Sequence, residues 1–197
     1  MTERTMVALH SLWLLSSNVL KMKKIAVFCS ASFNIDPEYN DVARDFVRAA
    51  SSRGYGIVTG GTTKGTMGVI SNEMRDNGGY HLGVIPRFME QYVYPDLSEV
   101  RWTDTMAERK TLLREGTCAV VALPGGIGTL DELIETFALI HLKQYDGKIM
   151  VLDHKGFYQP LKTLLEHYVN TGMLSEETMD KLHFAQTTEE LLDLLED

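Results

Sequence analysis

Ten residues, Leu123-Pro124-Gly125-Gly126-Ile127-Gly128-Thr129-Leu130-Asp131-Glu132, constrain this chain more than any other stretch, because an apolar run ends there in a glycine turn that opens into a helix. Cys118 to Leu123 reads as a buried strand, and Leu130, Leu133, Ile134, Phe137 and Ala138 recur at helical spacing beyond the turn. Glycines let the backbone approach an anion closely. The first free N–H groups of the helix point at that anion, with the positive end of the helix dipole behind them. The turn is expected to bind phosphate through Gly125, Gly126, Ile127, Gly128 and Thr129. Thr129 also has a plain reading as a helix-start hydroxyl. Glu132 falls in about the first turn of the same helix, where a carboxylate repels a phosphate and is not needed to hold one. Its presence points to chemistry on the bound molecule.

From Lys24 onward, short apolar runs alternate with amphipathic stretches. Strands are expected at Ile25–Cys29, Gly56–Thr59, His81–Ile85, Cys118–Leu123 and Lys148–Leu152. Helices are expected at Pro37–Arg53, Met67–Asp76, Thr105–Arg114, Leu130–Leu142, Pro160–Tyr168 and Glu189–Leu195. Asp36 and Pro37 suit the cap and first position of the first helix. The pattern predicts an α/β fold: one domain built on a doubly wound, Rossmann-like parallel sheet. Ligands in such sheets gather beyond the carboxyl ends of the strands, and every candidate loop falls there: Cys29-Ser30-Ala31-Ser32, Thr59-Gly60-Gly61 and Leu123 to Gly126. The second loop is ambiguous by itself. It lacks the Lys-Ser/Thr ending of a P-loop, and a glycine pair after a strand is as often a tight turn.

A chain of 197 residues, 44% hydrophobic and 23% charged, can bury a substantial single core. Its net charge of −8 argues against a nucleic-acid partner, whereas a small anion needs only a local positive site. Cys29 and Cys118 form neither a disulfide framework nor a metal set, which suits a cytoplasmic setting. No metal and no cofactor is expected. Met6 to Leu20 is fairly apolar, but polar residues interrupt it, no clean cleavage site follows, and it is too short and broken to span a membrane. Met22 leads straight into a strand. Residues 1–21 are therefore expected to be an extension outside the core, and 22–197 the nucleotide-binding domain.

The segment Pro124 to Glu132 resembles the PGGxGTxxE signature of the LOG, or "lonely guy", family of cytokinin-activating phosphoribohydrolases. Cys29-Ser30-Ala31-Ser32 resembles the family's first strand-end loop. Gly60-Gly61 with Gly65-Thr66-Met67-Gly68 is similar to its GGGxxGLMG loop, and Met106-Ala107-Glu108-Arg109-Lys110 to its MHxRK segment. Four segments in family order are far more specific than one glycine loop. The resemblance implies hydrolysis of a nucleoside 5′-monophosphate, with Glu132 and Arg109 catalytic and a homodimer whose site lies near the interface. It also implies substrate contacts from Ser32, Gly61, Gly65, Met106 and Lys110. Ala107 stands where the family often has histidine, and Leu139 and His141 where it often has tryptophan and glutamine, which bears on base preference more than on bond cleavage.

Each of these residues has a blander reading. Arg109 and Lys110 could be a solvated helix face, although a guanidinium holds phosphate or a developing charge bidentately where an ammonium does so less well. Glu135 suits an exposed or supporting position. Asp131 points about a hundred degrees away from Glu132 on a helix and so is not its partner acid. His141, alone on a helix, suits a structural role. Two other functions use related sequence features. A non-catalytic nucleotide or molybdenum-cofactor carrier would need the glycine turns without the Arg109 and Glu132 pair. A pyridoxal-phosphate decarboxylase would need a Schiff-base lysine, and His154-Lys155 sits in a turn without the supporting serine, which rejects it.

Overall fold

The computed structural model describes residues 22–196; the expected extension at 1–21 lies outside them. Seven strands form one sheet: β1 (Lys24–Phe28), β2 (Gly56–Thr59), β3 (His81–Pro86), β4 (Glu99–Thr103), β5 (Ala119–Ala122), β6 (Lys148–Leu152) and β7 (Leu182–Ala185). The helices are α1 (Pro37–Ser52), α2 (Gly65–Asp76), α3 (Met106–Arg114), α4 (Ile127–His141), α5 (Gln159–Asn170), the single turn α6 (Glu176–Met179) and α7 (Thr188–Glu196). The spatial order is β4-β3-β2-β1-β5-β6-β7, and every neighbouring pair is parallel. From β1 the chain builds outward through β2, β3 and β4. It then returns to the other side of β1 with β5 and builds outward again. The direction of winding therefore reverses between β1 and β5, the place where such sheets open a crevice at their carboxyl ends.

Side-chain alternation along β1 shows how both faces are covered. Ile25 and Val27 face a core made with Phe46, Val47 and Ala50 of α1, Ile70 and Met74 of α2, and Leu191 and Leu192 of α7. Ala26 and Phe28 face the opposite side, where Leu113 of α3 packs; Ala122 there meets Leu133 and Phe137 of α4 and Leu165 of α5. Strands buried on both faces need continuous apolar runs, and those runs are what made five of the seven legible. Both edge strands escaped the sequence reading. In β4, Glu99 and Arg101 alternate with half-buried residues, and β7 is only Leu182-His183-Phe184-Ala185, so neither carries an apolar run.

Helix starts follow local chemistry. Asp36 accepts a hydrogen bond from the Glu38 N–H at 3.0 Å, and Pro37 occupies the first turn of α1 as its sequence suggests. The helix α4 begins at Ile127, three residues before the expected Leu130, with Gly126 as its cap. Apolar periodicity starts only at Leu130, whereas the backbone is already helical through Ile127, Gly128 and Thr129. Of the four N–H groups that a helix start leaves without an intrahelical partner, those of Ile127, Gly128 and Thr129 therefore belong to the turn itself.

Candidate active site

The loops after β1 and β5 face each other across the crevice, and a cleft of about 360 Å³ opens between them and α3. Ser30, Ala31 and Ser32 come from the first loop, and Gly126, Ile127, Gly128 and Thr129 from the second. Met106 and Arg109 reach in from α3, and Glu132 from the second turn of α4. A β-carbon placed on Gly126 or Gly128 would meet no protein atom within 4 Å, so the turn presents bare backbone to open space. A larger cavity of about 560 Å³, lined by Thr111, Arg114, Thr117 and Tyr145, lies at the amino ends of β5 and β6 and contains none of the expected site residues.

Arg109 and Glu132 form the centre of the cleft. Arg109 Nη1 donates to Glu132 Oε1 at 2.6 Å, and Nε donates to the Val84 carbonyl of β3 at 3.1 Å. The two side chains are only 10% and 12% exposed. Burial raises the Glu132 pKa above the ordinary carboxylate value, against the opposing pull of the Arg109 charge. A carboxylate whose proton affinity is raised, but which is still ion-paired, is suited to accepting a proton or facing a developing cation. Burial likewise pushes the Cys29 thiol beside this pair well up, leaving it protonated and unreactive.

The neighbouring residues lock the two helices together. Lys110 Nζ contacts Asp131 at 3.1 Å and also pairs with Glu135, which in turn accepts from Arg114 at 2.9 Å. Burial pushes Glu135 up, but its bonds from Lys110 and Arg114 hold it below the usual carboxylate range. Consecutive residues on α3, Arg109 and Lys110, thus engage consecutive residues on α4, Glu132 and Asp131. Glu135 takes the supporting position expected of it, and Asp131 pairs with Lys110 rather than joining Glu132.

The structure brings Glu132, Arg109, Met106, Ser32, Gly126, Ile127, Gly128 and Thr129 to one cleft, and places four other expected residues elsewhere. Lys110 lies off the cleft wall with its charge matched by two carboxylates. Gly61, at φ +60°, packs on Gly83, whose Cα would lie 2.6 Å from an added β-carbon. Gly65, at φ +49°, packs on the backbone of Ala31 and Ser32 and so props the first loop. Gly125 leaves room for the Thr129 side chain and lines a smaller apolar depression beside the cleft. Thr129 itself is buried, and its hydroxyl donates to the Cys29 carbonyl at 2.9 Å, so that proton is committed to protein and the expected phosphate is left with the Thr129 backbone N–H.

The cleft residues Gly60, Met67 and Met89 escaped the sequence reading as contacts, as did the buried Val84 carbonyl that holds Arg109. Gly60 and Met67 stand in motifs the sequence displays, while a strand carbonyl and a methionine on the 3₁₀ turn 87–92 carry no signal of their own. His141 bonds Thr178 Oγ1 at 3.0 Å, in the structural role its sequence context suggests. His154 and Lys155 both engage Glu38, at 2.9 and 2.6 Å, outside the cleft.

A family model described as possible lysine decarboxylase matches residues 67–195. A cytokinin riboside 5′-monophosphate phosphoribohydrolase of Mycobacterium marinum is 35% identical over 160 residues, covering 80% of this chain and 85% of that protein. The Arabidopsis thaliana enzyme of that name, LOG3, is 32% identical over 179 residues, covering 90% and 83% respectively. Among solved structures, the molybdenum cofactor carrier protein of Chlamydomonas reinhardtii matches with a TM-score of 0.68 over 89% of this chain and 96% of that one, at 16% identity. That last likeness is one of fold.

Proposed function

Because the chain belongs to the LOG family, the one whose model is described as possible lysine decarboxylase, we propose that it hydrolyses the N-glycosidic bond of a nucleoside 5′-monophosphate. The products are a free base and ribose 5-phosphate, and the base is a purine such as adenine or a cytokinin. The observation that carries this reading is the buried Arg109–Glu132 pair one helical turn from unpaired backbone N–H groups. The N–H groups of Ile127, Gly128 and Thr129 take the 5′-phosphate, with Ser32 on the facing loop. Cleavage of the C1′–N bond passes through an oxocarbenium-like state. Glu132 faces the positive charge at C1′ and accepts a proton from the attacking water, whose oxygen bonds to C1′ as the base departs with the bonding electrons; the base nitrogen then takes up that proton through solvent, which releases neutral base and returns Glu132 to its carboxylate. Arg109 orients Glu132 and presents its remaining nitrogen to the nucleotide. Binding energy at the phosphate, remote from C1′, fixes the sugar against Glu132.

Decarboxylation is not a reading the residues support. Pyridoxal phosphate needs a lysine to form its Schiff base, and among the described residues no lysine lines the cleft; Lys110 and Lys155 are both held in ion pairs elsewhere. A homodimer is part of the proposal on the strength of the family resemblance. A net charge of −8 supports the absence of a nucleic-acid partner, and two free cysteines support a cytoplasmic location. Among the described residues no helix is long and apolar enough to cross a membrane.

The test is a panel of nucleoside 5′-monophosphates and matching nucleosides, with chromatography of free base and ribose 5-phosphate. Release from AMP with little from adenosine is expected. Equal release from both would refute phosphate anchoring, and binding without release across the panel would favour a carrier.

A further inference from the structure

We infer that Gly60 is a positioning residue for Arg109: the missing side chain at this position is the seat on which the guanidinium lies. This rests on the proposed reaction for its kinetic meaning but on geometry for its substance. Gly60 opens the loop after β2 and lines the cleft. A β-carbon there would collide with Arg109 Nη2 and come within 2.8 Å of Met67 Sδ. Of the three guanidinium nitrogens, Nε is held by Val84 O and Nη1 by Glu132. Among the described residues, Nη2 makes no hydrogen bond. It lies over Gly60 on the cleft wall, the one nitrogen left for a bound molecule. A side chain at position 60 would therefore tilt the planar group and disturb all three of its relationships together, because a guanidinium is rigid.

The loop cannot retreat to make room. Gly61 N donates to Thr59 Oγ1 at 3.0 Å, and that hydroxyl also lies 2.8 Å from His81 Nε2. His81 is buried, and burial lowers its pKa to about 4, so it stays neutral and serves as a fixed hydrogen-bond partner. Gly61 is itself wedged on Gly83. Gly60 and Gly61 consequently do different work. Gly61 needs its left-handed backbone, while Gly60 has no positive φ and could carry a side chain as far as its own backbone is concerned. What Gly60 supplies is space for Arg109.

Gly60→Ala and Arg109→Lys, singly and combined, test this, with chromatographic turnover of AMP and NMR titration of the ¹³C-labelled Glu132 carboxyl as readouts. Lysine lacks Nη2, so the collision disappears in the Arg109→Lys background. Gly60→Ala is expected to lower kcat/KM about tenfold or more in the wild-type background and to change it little with Arg109→Lys. The groups around Glu132 are Arg109 and Lys110 from α3, Asp131 on its own helix and Cys29 after β1. Loosening the Arg109 contact should therefore move the Glu132 midpoint upward in Gly60→Ala. An unmoved midpoint, or an equal kinetic loss in both backgrounds, would overturn the inference and assign Gly60 to the packing of Met67. If the wild type released no base from any nucleotide while the midpoint still moved, the proposed reaction would fail and the positioning role would stand.

Discussion

Thr129 gives its hydroxyl proton to the Cys29 carbonyl at 2.9 Å, a bond between residues a hundred positions apart that ties the glycine turn to the end of β1. Gly125 is cut away to admit that side chain. The bond fixes the distance between the two loops that form the cleft. Thr129→Val keeps shape and branching but removes the donor, so it should destabilise the protein by about 1 kcal/mol and lower turnover, while Thr129→Ser restores both. Thermal melts and AMP assays check this. Unchanged stability with lost AMP binding would make the hydroxyl a phosphate ligand after all.

Gly128 should show opposite effects on stability and binding. It sits in the first turn of α4 without a positive φ, and an added β-carbon meets nothing in the protein. Gly128→Ala should therefore raise helix stability by about 0.5–1 kcal/mol, yet its methyl occupies the space in which the proposed phosphate meets the backbone. A higher Tm with a KM for AMP raised about tenfold or more is expected. A higher Tm with unchanged KM would show that phosphate sits elsewhere.

The sequence displayed the centre of this site because its parts are side chains and glycines in short segments. Arg109, Glu132 and the turn around Gly126 could each be pointed to in the chain. What it could not display is how their demands are shared. Lys110 sits beside Arg109, but Asp131 and Glu135 claim its charge, and only the packing of α3 on α4 reveals that. Gly61 and Gly65 match a binding motif, yet their freedom is used to pack on Gly83 and on the Ala31–Ser32 backbone. The Val84 carbonyl that fixes Arg109 has no residue-type signature at all. The edge strands β4 and β7 were hidden for a related reason: half-exposed strands do not need the apolar runs by which buried ones are recognised.

The pH dependence of the reaction follows from the raised pKa of Glu132. In the proposed reaction the carboxylate is the active form, so kcat/KM should rise with pH through an inflection above the ordinary glutamate value of 4.5. Removing the opposing positive charge should move that inflection further up, so in Arg109→Gln the acid limb should shift toward neutral pH. A pH–rate profile with its acid inflection below 4.5 would show that the Arg109 charge outweighs burial at this site.

Glu132→Gln separates the catalytic role from the structural one. Glutamine keeps the size of the side chain and an oxygen for Arg109, but removes the negative charge that an oxocarbenium-like state requires. AMP binding measured by calorimetry should persist while turnover falls by about a hundredfold or more. Stability should move the other way. A carboxyl whose folded pKa is raised favours the folded state most below its unfolded pKa, and that contribution is lost as pH rises through the folded value. At neutral pH the wild type therefore carries an ionised group that burial disfavours, whereas the glutamine variant does not. Glu132→Gln should melt at or above the wild-type temperature at pH 7, and the gap should close as pH falls below 4.5. A variant that binds AMP normally and turns it over within a few-fold of wild type would remove Glu132 from the chemistry. One that is inactive and markedly less stable at pH 7 would show that the ion pair with Arg109 holds α3 and α4 together. A dead enzyme that is as stable as its parent is the result expected of a carboxylate kept in the cleft for the reaction.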